Sequence, residues 1–564
     1  MTLAQLFTFF ILCQILIFLK LWKLYRIAGY SSYSAIIPIY NSIVLMRIIR
    51  RPTWWVILLY IPIVNLLMLP VVWIETSRSF GRNSISDSVY TLLSLGLFGF
   101  YINYFINPKY KKDRDLKAKT KFGEFIGSTI YAIIIATIVH AYFLQPFIIP
   151  TGSLEKSLLV GDFLLVSKFH YGARLPQTAI SMPMMHDTIP LIKFRSYLKK
   201  PQLPYLRLPK LQKIKRNDIV VFNWPADTVR QFFKKEKRVD KPIDKKSNYV
   251  KRCVGLPGDT LSIVDGIILI NGTKSEMPYR ANPLFPYLAY SSQGISSRKL
   301  IQNGIDDFNF RKYVIKNINQ QIFDELKSQI SVIDNDLKNF VVLTGPKGLP
   351  IKTVKKYRVQ ASEILESKKE LFLTEKEAEN LIKTMPLDSL VRIIKTKTYN
   401  EDFFPNNLKY NWNEDQFGPI TIPKAGDSVE INKVSFPLYK KIIQDYEKND
   451  VKVLKDRILI NNQEIKTYTF KQDYFWMMGD NRHNSEDSRS WGFVPEDHII
   501  GKPVFIWMSI DGFMDGISNW KPRWNRIFST VGGEGERKSY FGYFIGLLII
   551  WQVLVFVRKR RKTN

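Results

Sequence analysis

The sequence predicts a multi-pass α-helical membrane region joined to a mainly-β extracytoplasmic domain that carries a mixed α/β insertion. Three observations lead to this fold class. Long uncharged apolar runs lie near both ends of the chain, lysines and arginines collect between them, and short β-branched runs separated by turns fill the middle. A chain of 564 residues is long enough for several structural units.

Five uncharged runs are each long enough to cross a hydrocarbon core of about 30 Å, which takes about 20 helical residues. They are 3–19, 53–74, 88–106, 126–145 and 540–557. A cleavable leader is a poor interpretation of the first run, because no basic stretch precedes it and no small-residue cleavage site follows it. We therefore expect four transmembrane helices within 1–145 and a fifth at 540–557.

The positions of the basic residues predict the orientation of these spans. Lysines and arginines are dense in the first loop (20–51), the third loop (109–121) and the tail (558–564), whereas the second loop holds only Arg78 and Arg82. Basic loops stay on the cytoplasmic side. The N-terminus and the whole of 146–539 are then extracytoplasmic, and the basic tail is cytoplasmic.

A formal net charge of +32 could also indicate a nucleic-acid partner. The basic runs flank apolar spans, however, and the chain has no zinc-finger spacing, RNA-binding aromatic motif or basic zipper. The sequence thus predicts a lipid bilayer as partner and no nucleic acid.

The extracytoplasmic part reads as a β-rich core in two pieces, 146–274 and 417–530, around an insertion at 275–416. Strands are predicted at 162–166, 217–222, 260–270, 428–431 and 503–507. The insertion is richer in charged residues and Asn, and Thr374 with Glu377 forms a capping-box pattern that predicts a helix start. Two segments, 267–272 and 457–462, have the pattern of the same hairpin.

Ser153 is the first residue that could carry chemistry. It lies eight residues after Gln145, and eight extended residues reach only about 26–29 Å, so it must stay near the outer membrane surface. A serine in a Pro-Thr-Gly-Ser turn also has a purely structural explanation, because turns favour these residue types.

Lys251 is the second candidate, in a strand-like run that ends in a Gly-Leu-Pro-Gly turn. A serine hydroxyl needs a base to remove its proton. A lysine can be that base only when it is neutral, and burial lowers its pKa from about 10.4 toward the working range. Taken alone, Lys251 could equally be a surface lysine beside Arg252.

The third candidate is the polar stretch 478–495, which lies between two apolar runs. Its Asp, Asn, Arg and Ser side chains fit either a long solvated loop or a hydrogen-bonded network that fixes the shape of a site.

These three segments, with Asp218-Ile-Val-Val-Phe222 between the first two, resemble the bacterial type I signal peptidases. The motifs stand in the order of that family: a serine after a span, a lysine before Gly-Leu-Pro-Gly-Asp, and Gly-Asp-Asn-Arg with Asn-Ser, Asp-Ser-Arg and Trp-Gly. The resemblance covers about 145–270 and 417–510. The extra N-terminal spans and the insertion are similar to elaborated versions of Bacteroidetes type.

The resemblance implies a signal-peptidase-like β fold and a membrane-bound serine endopeptidase that removes signal peptides from exported preproteins by a Ser–Lys dyad. It implies a periplasmic catalytic domain on the bacterial inner (cytoplasmic) membrane, close to the protein export machinery, and no metal or other cofactor. Ser153 would be the nucleophile and Lys251 the general base. The oxyanion hole would combine the Thr151 hydroxyl with the Ser153 N–H. The residues that would orient the site are Ser485, Asp480, Arg252, Asp487 and Arg489.

The main departure from the family pattern is Lys156, which stands where the family usually has proline. Two other functions stay open at this point. The first is a Ser–His–Asp hydrolase that uses His483, His498 and Asp487, although no G-x-S-x-G elbow surrounds Ser153. The second is a non-catalytic, membrane-tethered binding or assembly protein.

Overall fold

The computed structural model describes residues 2–563 except 118–119, 191, 193, 229–237, 307, 317, 328, 337–338 and 455–456. The α-helices are α1 (Leu3–Ile27), α2 (Tyr40–Ile48), α3 (Trp55–Tyr60), α4 (Val64–Ser79), α5 (Ile85–Leu93), α6 (Phe98–Tyr104), α7 (Lys121–Ile138), α8 (Ser297–Gln302), α9 (Gln320–Leu326), α10 (Ile351–Lys356), α11 (Glu375–Thr384), α12 (Phe436–Lys441), α13 (Ser488–Trp491) and α14 (Phe541–Thr563).

The strands are β1 (Leu144–Ile148), β2 (Asp162–Ser167), β3 (Ile219–Asn223), β4 (Asn248–Gly255), β5 (Thr260–Val264), β6 (Ile267–Ile270), β7 (Thr273–Lys274), β8 (Phe285–Ile295), β9 (Arg311–Lys316), β10 (Ile330–Asp336), β11 (Asn339–Thr344), β12 (Gln360–Glu363), β13 (Glu366–Leu373), β14 (Ser389–Arg392), β15 (Phe417–Thr421), β16 (Ser428–Glu430), β17 (Val451–Val453), β18 (Ile458–Ile460), β19 (Gln463–Glu464), β20 (Thr467–Thr469), β21 (Tyr474–Met478), β22 (Val494–Pro495), β23 (Ile499–Asp511), β24 (Lys521–Pro522) and β25 (Ser529–Thr530).

Within the described part of the chain, three helices are long and apolar enough to cross a membrane. They are Leu3–Ile27, Lys121–Phe143 and Phe541–Arg561, and together with the β-rich part they confirm the predicted fold class. The outward-facing side chains of these helices are largely exposed in the isolated chain, as expected of surfaces that face lipid.

The second predicted span, 53–74, is not a single helix, and this prediction is wrong. α3 ends at Tyr60 and α4 begins at Val64, after a turn in which Ile63 has a positive φ of 69°. Arg51 before α3 forms an ion pair of 2.9 Å with Glu75 near the end of α4. Because the residues before and after 53–74 contact each other, the segment is a helical hairpin whose two ends lie close together.

The third predicted span, 88–106, also differs. It consists of α5 and α6, which are bent by 115° relative to each other. After α6, the N–H of Lys111 donates a hydrogen bond of 2.9 Å to the carbonyl of Ser79, which directly precedes this segment. The described residues thus hold three candidate spans, or four if the bent pair counts as one. Three crossings, an odd number like the five predicted, would keep the predicted sidedness of the two termini and of the β-rich part.

The main sheet has the strand order β1-β2-β23-β3-β4-β21-β22, and β24 and β25 also pair with β23. A smaller sheet of order β15-β5-β6-β7 packs against it through a core that includes Val254, Ile263 and Trp476. The predicted strands at 162–166, 217–222, 428–431 and 503–507 are confirmed within a few residues, and 260–270 is the hairpin β5–β6.

The two segments predicted to be similar hairpins are both hairpins. β6 and β7 are joined through Asn271 and Gly272, and β18 and β19 through Asn461 and Asn462. All four turn residues have positive φ, the conformation that two-residue hairpin turns favour and that Asn and Gly tolerate.

The strands of 275–416 share no sheet with the core within the described residues. β8, β13 and β14 form one sheet, and β9 to β12 form another. The predicted helix start at Thr374 is confirmed, since its hydroxyl accepts from the N–H of Glu377 while the Glu377 carboxylate accepts from the N–H of Thr374. We call 275–416 the insertion.

Candidate functional site

Ser153 lies in the short 3-10 turn Gly152–Leu154, just after β1. β1 continues directly from the π-helical turn Val139–Phe143 at the end of α7, so the serine is held close to the membrane helix. Leu154 anchors the turn, because its side chain is 2% exposed and packs with Leu158 and Val166. Thr151, in extended backbone before the turn, is exposed to solvent.

Lys251 lies on β4, the strand against which the Ser153 turn packs. Its side chain is buried (2% exposed), and its Nζ donates a hydrogen bond of 3.0 Å to Ser485 Oγ. Burial lowers the pKa of Lys251 to about 8, although the nearby carboxylates of Asp487 and Glu486 oppose that change. An ammonium with such a pKa exists partly as the neutral amine near neutral pH.

Gly479 lies between the serine turn and the lysine. A Cβ built at this position would stand 2.2 Å from Ser485 Oγ and 2.5 Å from the carbonyl oxygen of Ser153. Because Gly479 has no side chain, the Ser485 hydroxyl and the Ser153 carbonyl can both occupy the space where a Cβ would stand. Among the described residues, the Ser153 hydroxyl is not hydrogen-bonded to Lys251, whose ammonium donates to Ser485 instead.

Asp480 and Arg252 form a buried ion pair beside Lys251. Arg252 donates from Nε to Asp480 Oδ1 at 2.7 Å and from Nη2 to Oδ2 at 2.5 Å. Burial alone would raise the pKa of Asp480, but the Arg252 guanidinium holds that pKa below its ordinary value. Ser157 donates to the same carboxylate at 2.6 Å, so the pair also fixes the chain that follows Ser153.

Asp487 and Arg489 form a second buried ion pair near Lys251. Arg489 Nε donates to Asp487 Oδ1 at 2.9 Å, and Nη2 donates to Oδ2 at 2.8 Å. Asp487 Oδ2 also accepts from the N–H of Gly479 at 3.0 Å. Burial would raise the pKa of Asp487, but Arg489 outweighs burial and lowers it. The stretch 478–495 is therefore a bonded network and not a solvated loop.

The three residues proposed for a Ser–His–Asp site do not come together with Ser153. His483 Nε2 lies 3.1 Å from Asp415, and His498 Nδ1 lies 2.6 Å from Asp497. Burial lowers the pKa of His498 to about 4. Asp487 is bonded to Arg489 instead of a histidine. In the described ranges, His, Cys, Asp and Glu side chains do not gather in groups of three that could hold a metal ion.

Sequence reasoning missed three contributors to the site. Gly479 provides the close approach described above. Asn481 donates its backbone N–H to the Ser153 carbonyl at 3.1 Å and its Nδ2 to the Gly152 carbonyl at 3.3 Å. Ser157 links the serine segment to Asp480. The run Gly479-Asp-Asn481 was visible as a motif, but the sequence gives no partner that lies more than 300 residues away.

Lys156 connects the serine segment to the insertion. Its Nζ lies 3.2 Å from Asp306 Oδ1 and 3.3 Å from Glu377 Oε1, and it donates to the Gly304 carbonyl at 3.3 Å. Its backbone φ is +64°. Proline is locked near −65° and could not take this conformation, which explains why this chain departs from proline here.

Comparisons with known proteins agree with this geometry. A profile of the family described as "Signal peptidase, peptidase S26" matches residues 122–300 and 420–508, which include the serine turn, β4 and 478–495. A profile described only as a family of unknown function matches 33–113, which covers the two hairpins.

Several relatives named signal peptidase I are similar to the chain. One from Buchnera aphidicola subsp. Acyrthosiphon pisum is 24% identical over 417 residues, covering 72% of this chain and 85% of the relative. One from Rickettsia massiliae is 30% identical over 167 residues, covering 29% of this chain and 48% of the relative. One from Rickettsia typhi is 31% identical over 166 residues, covering 29% of this chain and 49% of the relative. The family profile and these relatives together support assignment of the chain to the type I signal peptidases, and with it a membrane-associated serine endopeptidase.

Proposed function

We propose that this protein removes signal peptides from exported preproteins with a Ser153–Lys251 dyad. Neutral Lys251 takes the hydroxyl proton of Ser153 as the serine oxygen attacks the scissile carbonyl. Lys251 then gives that proton to the leaving amine, and an acyl-enzyme remains on Ser153. A water molecule, deprotonated by Lys251, attacks the ester, and the serine recovers its proton as the acid product leaves.

The observation that carries this proposal is the buried Lys251 ammonium, held by the Ser485 hydroxyl beside the Ser153 turn. The neutral Ser485 partner leaves the amine free to lose its charge, whereas a directly bonded carboxylate would favour the ammonium. Of the carboxylates that act on Lys251, Asp480 and Asp487 are each bonded to an arginine.

The oxyanion of the tetrahedral intermediate would be stabilised by the Ser153 N–H and the Thr151 hydroxyl. Preorganised donors of this kind contribute about 2.7–4 kcal/mol each in other serine hydrolases. Thr151 is exposed, and its side chain does not cap the turn that follows, so its hydroxyl can turn toward a substrate.

The substrate would enter as an extended strand along β4. On one side of β4, β3 pairs with all of Asn248–Arg252. On the other side, β21 begins to pair only at Arg252, so among the described strands the edge at 248–251 is open beside Lys251. A peptide that adds to this edge would bring its scissile bond to the dyad by β-augmentation.

The site would face the periplasm at the bacterial inner membrane, close to the export machinery, with the N-terminus on the same side and the basic tail in the cytoplasm. The basic loops 20–51 and 109–121 support this orientation. A site near the membrane surface suits a substrate whose apolar segment remains in the bilayer. In this proposal, 146–274 and 417–530 form the two parts of the catalytic core, and 275–416 is inserted between them.

Cleavage of a preprotein by the purified full-length protein tests the dyad. We expect Ser153→Ala and Lys251→Met each to reduce the rate by at least about a thousandfold, because either change removes the activated nucleophile. The controls are His483→Gln and His498→Gln, which should keep most of the activity. Loss of activity in either histidine variant, with Lys251→Met still active, would favour a histidine base. Absence of any product that depends on Ser153 would favour a binding protein.

A further inference from the structure

A cavity lies where α7 meets the β-rich domain, and the residues of the Ser153 turn do not line it. Its volume is about 160 Å³. The walls come from the end of α7, from Ile63 in the turn between α3 and α4, and from the segment around Ser181–His186. The membrane region and the catalytic domain thus build this cavity jointly, at the depth where the membrane helix ends.

The charged groups of the cavity are mainly basic. Its lining includes three cationic side chains, Lys168, Arg174 and Lys245, against one carboxylate, Asp244. His140 and His186 also line it. That carboxylate is already engaged, because it accepts hydrogen bonds from the N–H and the hydroxyl of Thr178 at 3.0 and 2.6 Å. The cavity therefore has an excess of positive charge.

The two lysines are held by neutral oxygens. Lys168 Nζ donates to the carbonyls of His140 at 2.9 Å and Ala141 at 3.2 Å. Lys245 Nζ donates to Ser181 Oγ at 2.6 Å and to the Met185 carbonyl at 3.2 Å. Neither ammonium forms an ion pair within the described part of the chain. Burial lowers the pKa of Lys168 to about 7 and also lowers that of Lys245, although the carboxylates of Asp244 and Asp187 oppose the change at Lys245.

The mouth of the cavity is apolar. Met182 and Met184 are 43% and 49% exposed, and both line the cavity together with Ile63 and Met185. Methionine side chains are flexible and adapt to irregular apolar partners. The cavity has cationic groups inside and methionines at its mouth, and it lies at the end of α7. These features match a ligand with a phosphate group and hydrocarbon chains.

We propose that this cavity binds the phosphodiester of a phospholipid headgroup, with Lys168 and Lys245 facing the phosphate and the methionines facing the acyl chains. The occupant is a lipid and not free phosphate, because the cavity opens beside the end of a membrane helix, where lipid phosphates are concentrated. Because Ile63 lines the cavity, the hairpin α3–α4 would help to close the lipid site.

Thermal unfolding of the full-length protein in detergent tests this site, with dihexanoylphosphatidylglycerol as the probe. The informative pair is Met184→Glu and Met184→Gln, which have nearly the same shape and differ by one negative charge at an exposed position. We expect the lipid to raise the Tm of the wild type and of Met184→Gln alike. Met184→Glu should need about tenfold more lipid for the same rise.

Further variants and probes complete the test. Lys245→Met should also lose most of the rise in Tm, whereas Lys199→Met, an exposed lysine of the same region that does not line the cavity, should keep it. Equal stabilisation of all variants would overturn the proposal. So would an equal rise with inorganic phosphate, which would indicate a free-anion site, or with dihexanoylglycerol, which would indicate apolar binding without the phosphate.

Discussion

At the scale of single residues, the buried pair Asp480–Arg252 ties three parts of the site together. Asp480 follows Gly479, Arg252 follows Lys251, and Ser157 from the serine segment donates to the same carboxylate. Each charged group here is compensated by the other, so the pair is tolerable only as long as both partners remain.

We expect Asp480→Asn to be strongly destabilising. The change leaves the Arg252 guanidinium buried without its counter-charge, which typically costs about 3–5 kcal/mol. Thermal unfolding of the variant should show a clear fall in Tm. Asp511→Asn is the control, because the Asp511 side chain is 54% exposed and its pair with Arg523 should contribute about 0–1 kcal/mol. Similar Tm values for both variants would contradict this account of Asp480.

Gly479→Ala is expected to reduce cleavage by about a hundredfold or more. The new methyl group would overlap the Ser485 hydroxyl and the Ser153 carbonyl, and a displacement of about 1 Å in a catalytic group can cost this much. The matched control is Gly345→Ala, where a Cβ meets open space. Rates of preprotein cleavage are compared for the two variants. Full activity of Gly479→Ala would show that the close approach of Ser485 and Ser153 to Gly479 is not needed for catalysis.

Residue-scale predictability depended on whether the relevant partner was close in sequence. The capping box at Thr374 and the hairpin turns at Asn271 and Asn461 were predictable, since they depend on local backbone chemistry. The partnership of Lys251 with Ser485 spans 234 residues, and only the resemblance to a family indicated it. The close packing around Gly479 could not be predicted, because a glycine in a polar stretch carries no sign of its neighbours.

At the scale of elements, the insertion is attached to the serine segment through Lys156. Part of that ion pair is exposed, with side-chain exposures of 19% for Lys156, 72% for Asp306 and 26% for Glu377. Pairs of this kind each contribute about 0–1 kcal/mol. The link is therefore weak enough to break without unfolding the core.

We expect Lys156→Met to loosen the insertion and to lower kcat/KM by up to about fivefold, because up to about 1 kcal/mol of attachment is lost. Limited proteolysis should show faster cutting within 275–416, while the core strands stay protected. Lys156→Arg should restore both properties, because it keeps the charge. An unchanged proteolysis pattern in Lys156→Met would mean that other contacts hold the insertion.

The membrane elements show where composition misleads. Segments 53–74 and 88–106 have the length and apolar character of spans, but each is broken into two helices and the residues on either side of it contact each other. Hydropathy measures how apolar a segment is and does not reveal whether it turns back. For 53–74, the ion pair of Arg51 with Glu75 shows that the segment turns back. It joins two residues that the sequence pattern assigned to different sides of the membrane.

At the scale of the whole molecule, the three-crossing topology makes a prediction that the five-crossing pattern does not. A cysteine at the exposed Asn83, in a background with Cys13→Ser, should react with a membrane-impermeant maleimide from the cytoplasmic side. Its reactivity should match that of Lys112→Cys and differ from that of Lys397→Cys in the catalytic domain. Labelling of the Asn83→Cys protein from the periplasmic side would restore the five-crossing topology.

The whole arrangement serves one chemical requirement, namely a lysine that is neutral while it lies next to a serine turn at the membrane surface. Two hydrogen-bonded pairs, Asp480–Arg252 and Asp487–Arg489, neutralise the nearby carboxylates, and the hydroxyl of Ser485 positions the amine. The two buried ion pairs thus allow Lys251 to lose its charge near neutral pH.

The pH dependence of kcat/KM for preprotein cleavage by the wild type tests this claim most directly. The pKa of Lys251 is lowered to about 8, and the lysine acts as a base only when deprotonated. The rate should therefore rise about tenfold per pH unit below that value and level off above it. Lys502→Met, which changes a lysine outside the dyad, should leave the midpoint in place. A midpoint near 6.5, the ordinary value for histidine, or a profile that does not change with pH, would contradict the account.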